Sequence, residues 1–207
     1  VLDNWKVKDS LAVELNVDAE GYTQFTIGGV TADIPSKSFS GREGSYVVYP
    51  GVYTVTPVAP SEYADSNPET VAVLDDGFGG NGSTVSLKAT YNTKLIAAAQ
   101  AAGQQAVDSC TSIPGNQSSS CPFAIQSDAV TAVTGGSMPK ALAPVSEEQP
   151  TFFRATVVFT VTSSNKYYMA GTQDVEAKVE IRAQLEDNQV LKLDKDGKPD
   201  FEVSFTR

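Results

Sequence analysis

The fold of this chain is decided by one stretch near its end, Asp174-Val-Glu-Ala-Lys-Val-Glu-Ile-Arg-Ala-Gln-Leu185, in which apolar and polar residues alternate without a break. Successive side chains of a β-strand point to opposite faces of the sheet, so a period of two predicts a strand with one buried and one solvent-facing side. The residues predicted to be buried are Val175, Ala177, Val179, Ile181, Ala183 and Leu185.

Further strands are predicted on both sides of this stretch. Residues 151–162 form a nearly continuous run of β-branched and aromatic residues, which favours a more deeply buried strand. Downstream, Asp194-Lys-Asp-Gly-Lys-Pro199 lies between the apolar segments 190–193 and 201–205 and predicts a closing hairpin. Together these strands are expected to form an antiparallel sheet.

One segment has the pattern of an α-helix. Residues 91–107 are rich in Ala and Gln, and Asn92 or Thr90 can serve as the N-cap. A narrow stripe of mostly small residues recurs at helical spacing, namely Tyr91, Leu95, Ala98, Ala102 and Ala106. One helix followed by antiparallel strands predicts a helix packed on a curved sheet, as in cystatin-like and NTF2-like folds.

The first part of the chain predicts a small β-sandwich, because short alternating segments follow one another between turn residues. Within it, residues 45–56 predict a hairpin with Pro50 and Gly51 at the centre of a type II turn. The predicted fold class is therefore β-rich and α+β. A β-sandwich-like domain is expected at residues 1–88, and a helix-plus-antiparallel-sheet domain with one disulfide at residues 89–207.

Cys110 and Cys121 are the two cysteines of the chain, and a polar loop separates them directly after the predicted helix. An isolated pair at this spacing predicts one disulfide, whose loop of about 12 residues would remove roughly 3 kcal/mol of denatured-state entropy. Disulfides persist in oxidising compartments, so the pair indicates an extracytoplasmic protein. After it, Pro122 and Phe123 are expected to return the chain to the core.

Charge and composition exclude several classes of function. The formal charge is −10 and the pI is near 4.4, so neither nucleic-acid binding nor electrostatic docking to membranes is expected. The chain has no histidine, which removes Ser-His-Asp and Cys-His catalysis and histidine-ligated zinc. The two cysteines lack the spacing of a thioredoxin-like redox centre and cannot hold structural zinc unaided. We therefore expect a protein that is not an enzyme, with no catalytic residues, no cofactor and no metal.

The sequence also bears on membrane attachment. No apolar run reaches the length of about 18 residues that a spanning helix needs, so no direct membrane insertion by this segment is expected. The chain begins at Val1 without Met or a signal peptide. We expect an anchoring segment outside this sequence.

Two loops have the residue types of ion or phosphate sites. Asp194, Asp196 and Asp200 offer oxygen ligands for calcium, but the glycine and the final Glu of an EF-hand loop are displaced, which favours a plain Asp-Gly turn. Residues 75–82 are glycine-rich but lack the Lys and Ser/Thr of a phosphate loop, so a mobile turn or a domain connection is the favoured interpretation.

Tyrosine and glutamate pairs are the remaining candidates. An aromatic binding surface is one interpretation of two groups, Tyr46, Tyr49 and Tyr53, and Tyr167 and Tyr168 beside Met169. The alternative is that these tyrosines lie at sheet margins with buried rings and solvated hydroxyls. Glu147 and Glu148 are interpreted as a solvated loop, because adjacent side chains in an extended chain point apart and do not form a general acid/base pair.

Several of these segments together resemble the extracellular regions of membrane-anchored cell-envelope proteins of Gram-positive bacteria, including actinobacterial ones and the teicoplanin-resistance-associated type. The resemblance is carried by Tyr49-Pro-Gly-Val-Tyr-Thr-Val55, by a helix ending in Cys110, by the Ser/Gly-rich loop after it, and by Cys121-Pro-Phe123. It implies small β-rich and cystatin- or NTF2-like modules carried outside the cell on a transmembrane helix. It implies no catalytic residues.

Three hypotheses about function are compatible with these observations. The first is a non-catalytic extracytoplasmic module that recognises an envelope protein or a cell-wall component. The second is a small-ligand pocket, or a hydrolase using carboxylates and Tyr, in the cone of an NTF2-like domain. The third is an architectural spacer that holds another domain away from the membrane.

Overall fold

The computed structural model describes residues 11–37, 41–74, 82–111, 120–126, 129–164, 170–186 and 189–206. The chain divides into two compact units, of which the first comprises Val1–Thr90 with Leu185–Leu191 and the second comprises Tyr91–Gln184 with Lys192–Arg207. Both units are rich in β-strands, and the described residues include one α-helix, so the predicted α+β class is confirmed.

The first unit is a β-sandwich of two four-stranded sheets. Its strands are β1 Val13–Glu20, β2 Gln24–Ile27, β3 Val30–Asp33, β4 Ser36–Lys37, β5 Gly41–Val48, β6 Gly51–Pro57, β7 Glu69–Val73 and β8 Ser83–Lys88. One sheet has the order β4-β5-β1-β8 and the other the order β3-β2-β6-β7. The core between them includes Leu15, Val17, Phe25, Val55 and Val73, all fully buried.

The predicted hairpin at residues 45–56 is wrong. β5 pairs with β1 and β4, whereas β6 pairs with β2 and β7, so the connection through Pro50 carries the chain from one sheet to the other. Gly51 has no positive φ, which a type II turn requires at that position. Alternating apolar residues on both sides of a short turn fit a hairpin or two facing sheets equally well, and the sequence pattern does not distinguish them.

The second unit packs one helix on an antiparallel sheet. Its elements are α1 Thr93–Thr111, a 3-10 turn Phe123–Ile125, β9 Val130–Gly135, β10 Pro144–Ser146, β11 Gln149–Ser163, β12 Gly171–Ala183 and β13 Phe201–Thr206. The sheet has the order β10-β11-β12-β13, and β9 pairs with the end of β11. On β12 the alternation confirms the prediction for Ala177, Val179, Ile181 and Ala183, which are buried, whereas Val175 is half-buried. Leu185, also half-buried, lies beyond the end of this strand.

The start of α1 is confirmed, but its buried face differs from the predicted stripe. Asn92 caps the helix, because its Oδ1 accepts a hydrogen bond from the N–H of Lys94 at 3.0 Å. The buried residues of α1 are Leu95, Ala99, Gly103, Val107 and Cys110. The helix is thus rotated so that Gly103 approaches the sheet, whereas Ala98, Ala102 and Ala106 are half-buried. No helix in the described ranges is both long and apolar enough to cross a membrane.

The prediction of a buried strand at residues 151–162 is confirmed, but the burial is mainly on one face. On β11 the residues Phe153, Ala155, Val157, Phe159 and Val161 are buried, while Arg154, Thr156 and Val158 between them are exposed. The physical reason is that α1 covers one face of this sheet only. An antiparallel sheet readily leaves its other face to solvent, even where that face carries β-branched residues.

Candidate binding groove

The disulfide fixes the start of a short return segment, residues 121–126. The Sγ atoms of Cys110, in the last turn of α1, and Cys121 are 2.12 Å apart, and their Cα atoms are 5.7 Å apart. Within the segment, the N–H of Ile125 donates to the carbonyl oxygen of Pro122 at 2.8 Å. The side-chain amide of Gln126 donates to the carbonyl oxygen of Cys121. The segment is therefore held by a covalent bond at one end and by local hydrogen bonds.

The two residues expected to return the chain to the core behave differently. Pro122 is buried, as expected, but Phe123 is 71% exposed. The prediction for Phe123 is wrong, because the 3-10 turn directs Ile125 to the core in its place. Aromatic residues are enriched in protein interfaces, so an exposed phenylalanine beside a cavity is a candidate contact residue.

A groove lies between this segment and the sheet. It has a cavity volume of about 510 Å³, and its walls are formed by residues 121–124 with Gln126, by residues 175–177 of β12 and by the end of β13. Phe205 belongs to the apolar lining and packs against Phe159, with the ring centroids 6.1 Å apart. A volume of this size falls in the range of ordinary ligand pockets.

Few polar groups line the groove. Gln126, Glu176 and Thr206 are the polar residues of the lining, and the remainder is apolar or disulfide-bonded cysteine. Glu176 is exposed on the outer face of the sheet. The next carboxylate along that face, Asp174, accepts a hydrogen bond from the hydroxyl of Thr160 at 2.9 Å. The arrangement suits the binding of apolar side chains, and Glu176 is the one charged residue of the lining.

Tyr46, Tyr49 and Tyr53 of the first unit do not form one aromatic surface. The ring of Tyr46 packs edge-on against Phe25 with the centroids 4.9 Å apart, and its hydroxyl donates to the carbonyl oxygen of Asp33. Burial raises the pKa of Tyr46, with a smaller contribution from the Asp33 carboxylate. The hydroxyl of Tyr53 donates to the carbonyl oxygen of Tyr49 at 2.7 Å, which leaves Tyr49 as the exposed member. Tyr167, Tyr168 and Met169 lie outside the described residues.

The Asp194 loop is a hairpin turn. The Asp194 carboxylate accepts hydrogen bonds from the N–H groups of Asp196 and Lys198 at 2.8 and 2.9 Å. Gly197 has a φ of 76°, a conformation that glycine adopts without steric cost. These backbone hydrogen bonds, that of Lys198 above all, lower the pKa of Asp194. Asp200 forms an ion pair with the Lys192 ammonium at 2.6 Å. The carboxylates of Asp194 and Asp200 therefore bind groups of the hairpin itself.

The other candidate sites do not assemble a reactive centre. Glu147 and Glu148 are both exposed in the turn between β10 and β11, where Ser146 pairs with Gln149. No group of three potential metal ligands occurs among the residues that the structure describes. The glycine-rich segment at 75–81 lies outside them.

A second cavity, of about 400 Å³, lies in the first unit. Its lining combines Asp18 and Glu20 with Arg42 and Lys88, so opposite charges offset one another. The Arg42 guanidinium is engaged in part, because its Nη1 donates to the carbonyl oxygen of Ile34 at 2.6 Å, while its buried Nε has no partner among the described residues. This balanced lining defines no class of ligand.

Sequence reasoning missed the groove of the second unit. Its parts lie in three separate segments, and the only local signal is an aromatic residue directly after Cys121-Pro122. Comparisons with protein families, with curated proteins and with solved structures find no match to this chain.

Proposed function

We propose that this chain is a non-catalytic extracytoplasmic recognition module of a cell-envelope protein, which binds an envelope protein at the groove of its second unit. The observation that supports the proposal is the groove itself, an apolar cavity whose wall at residues 121–126 is attached to α1 by the Cys110–Cys121 disulfide. A disulfide of this kind is typical of proteins outside the cytoplasm.

The lining favours binding over chemistry. Recognition sites are mostly apolar and contain a few polar groups that fix orientation, which is the composition found here. The face of the sheet beneath α1 is filled by Phe153, Val157, Val179 and Ile181, so a carboxylate-lined cone is not formed there. The apolar lining also favours a protein partner over a wall glycan, whose hydroxyl groups need many hydrogen-bonding partners.

The resemblance noted above supports the location. In this proposal the chain belongs to the exported part of a membrane-anchored protein of a Gram-positive bacterium, attached through a segment outside this sequence. The net charge of −10 favours partners with basic segments.

Capture from a solubilised envelope fraction tests the proposal. The immobilised chain is compared with Phe123→Ser, which removes an exposed aromatic ring at the groove, and with Val158→Ser as the control. Val158 is 45% exposed on the outer face of the same sheet and does not line the groove. We expect one or more defined proteins to be captured by the wild type and Val158→Ser and lost with Phe123→Ser. No capture by the wild type, or equal capture by all three, would refute the proposal.

A further inference from the structure

Two arginine side chains share one carboxylate on the face of the second unit's sheet that α1 does not cover. Arg154 on β11 donates from Nε and Nη2 to Oε1 of Glu180 on β12, at 3.1 and 2.6 Å. The Nη2 of Arg182, also on β12, lies 3.6 Å from Oε2 of the same carboxylate. Two positive charges thus meet a single negative charge, and positive charge remains in excess.

An aromatic ring favours one position of the Arg182 guanidinium. The central carbon of this guanidinium lies 3.8 Å from the centroid of the Phe152 ring, and that of Arg154 lies 5.4 Å from the same centroid. Phe152 is opposite Arg182 in the register of β11 and β12, and it is buried. Cations are attracted to the face of an aromatic ring, so the ring and the Glu180 carboxylate together orient Arg182.

The hydrogen-bond donors of Arg182 are left for an acceptor from outside. Glu202 lies opposite Arg182 on β13, but its Oε2 accepts a hydrogen bond from Nε2 of Gln184 at 3.2 Å. Among the residues that the structure describes, the Arg182 guanidinium makes no hydrogen bond, and its one ion pair is the 3.6 Å contact with Glu180. The Arg182 side chain is 53% exposed. A guanidinium carries five N–H donors, so this group can bind an acceptor without losing a partner.

The charges around Arg182 restrict the class of acceptor. The exposed Lys178 adds a positive charge on the same face, whereas the carboxylates of Glu180 and Glu202 repel a ligand with more than one negative charge. A carboxylate is a planar monoanion that matches the fork of a guanidinium with two parallel hydrogen bonds. It therefore fits this site better than a phosphate dianion.

We propose that Arg182 is the centre of a second binding site, which receives a carboxylate of a partner protein. The carboxylate accepts hydrogen bonds from two N–H groups of Arg182, while Phe152 supports the guanidinium from the sheet. Because the face is open, a carboxylate on a protein can add contacts with neighbouring strands, which a free acid cannot. None of these residues lines the groove, so the inference goes beyond the proposed function and does not rest on it.

NMR titration with a minimal ligand tests the site. The probe is N-acetyl-glutamic acid α-amide, which has one carboxylate, and the control is the neutral N-acetyl-glutamine α-amide, both at constant ionic strength. We expect the Nε–H signal of Arg182 to shift saturably with the acid, with a Kd on the order of millimolar, and not with the amide. The Nε–H signal of Arg154 should shift less, because that group already donates to Glu180.

Variants of the arginine separate its shape from its charge. They are compared through the backbone amide signals of residues 180–184. Arg182→Gln is expected to abolish binding, and Arg182→Lys to weaken it more than about threefold, because lysine keeps the charge but loses the planar fork. Lys88→Gln removes an equal charge from an exposed position on β8 of the first unit and leaves binding unchanged.

Two further variants distinguish a binding site from a structural ion pair. Glu202→Gln removes the negative charge opposite Arg182 and is expected to strengthen binding about two- to fivefold, the range of a cross-strand charge interaction. Phe152→Leu keeps an apolar side chain but removes the ring, and it is expected to weaken binding about two- to fivefold. The dispersion of the amide signals shows whether each variant is folded, and the exposed Glu202 keeps the test decisive if Phe152→Leu is not.

Four results would overturn the inference. They are the absence of a saturable shift at Arg182 up to about 100 mM probe, equal shifts with the neutral amide, binding that survives Arg182→Gln, and weaker binding of Glu202→Gln. Tighter binding of phenyl phosphate than of the glutamic acid probe would assign the site to phosphate groups and also overturn it. The titration contains no envelope protein, so its failure leaves the proposed function intact, and loss of the Phe123 dependence of capture leaves this site intact.

Discussion

Replacing Gly103 tests whether close contact between α1 and the sheet sets the stability of the second unit. A Cβ atom at this position would lie 2.7 Å from Ile181 Cδ1 and 2.8 Å from Met138 Cε. Alanine in a helix interior is favoured over glycine by about 1 kcal/mol, while overpacking of a core costs about 1–3 kcal/mol. Both neighbouring atoms are the ends of flexible side chains and can move. We therefore expect Gly103→Ala to destabilise the unit by about 1 kcal/mol, and Gly103→Val, which adds two more methyl groups, by about 3 kcal/mol.

The assay is native-state hydrogen exchange of the slowest amides of α1, which reports the free energy of opening of this unit. Ala101→Gly, at an exposed position of the same helix, measures the helix-propensity contribution without any new contact. A double-mutant cycle with Met138→Ala tests the steric contribution. We expect the cost of Met138→Ala to be lower by about 1 kcal/mol in the Gly103→Ala background, because the new methyl group fills part of the cavity.

Two results would refute this reasoning. One is additivity of Gly103→Ala and Met138→Ala within about 0.5 kcal/mol, which would mean that the two side chains do not meet. The other is a gain in stability from Gly103→Ala equal to the loss from Ala101→Gly. That result would mean that helix propensity alone governs the site and that α1 lies farther from β12 than described.

The remaining predictions concern the disulfide and the dependence of folding stability on acidic pH. Replacing Cys110 and Cys121 together by alanine is expected to lower the opening free energy of the second unit by about 3 kcal/mol, while exchange of the β1 amides in the first unit stays unchanged; equal losses in both units would contradict it. Because the pKa of Asp194 is lowered in the folded protein, its ionised form stabilises the turn above the ordinary value of 3.8, and this contribution is lost as the pH falls through the folded pKa. NMR titration of the carboxyl group should give a pKa below 3.8, and a value at or above 3.8 would count against the hydrogen bonds from Asp196 and Lys198.

The sequence is most informative where one physical constraint acts alone. The strict period of two in β12 predicts both the strand and its buried face, because a shift of one residue would expose every apolar side chain. The start of α1 is equally legible, since Asn92 supplies the side-chain oxygen that an N-cap requires. The Asp194 turn follows from the preference of Asp-Gly for tight reversals.

Two features could not be predicted, because the sequence is compatible with several structures of similar stability. The alanines of α1 offer several faces of similar hydrophobicity, and the contact of Gly103 with β12 selects one of them. A short turn at Pro50 is compatible with pairing within one sheet or between two, and the selection is made by β1 and β2, which are distant in the sequence. Tertiary contacts determine both the buried face of α1 and the strand pairing around Pro50, so local sequence patterns are insufficient to predict either.

The groove depends on the disulfide and on contacts between segments that are distant in the sequence, and no local motif encodes either. Phe123 is 71% exposed, so its own burial contributes little to holding the return segment there. The anchoring groups are Pro122, Ile125 and the bond from Cys121 to α1, which are all buried. The disulfide therefore keeps an apolar side chain exposed beside the groove, an arrangement that packing alone would oppose.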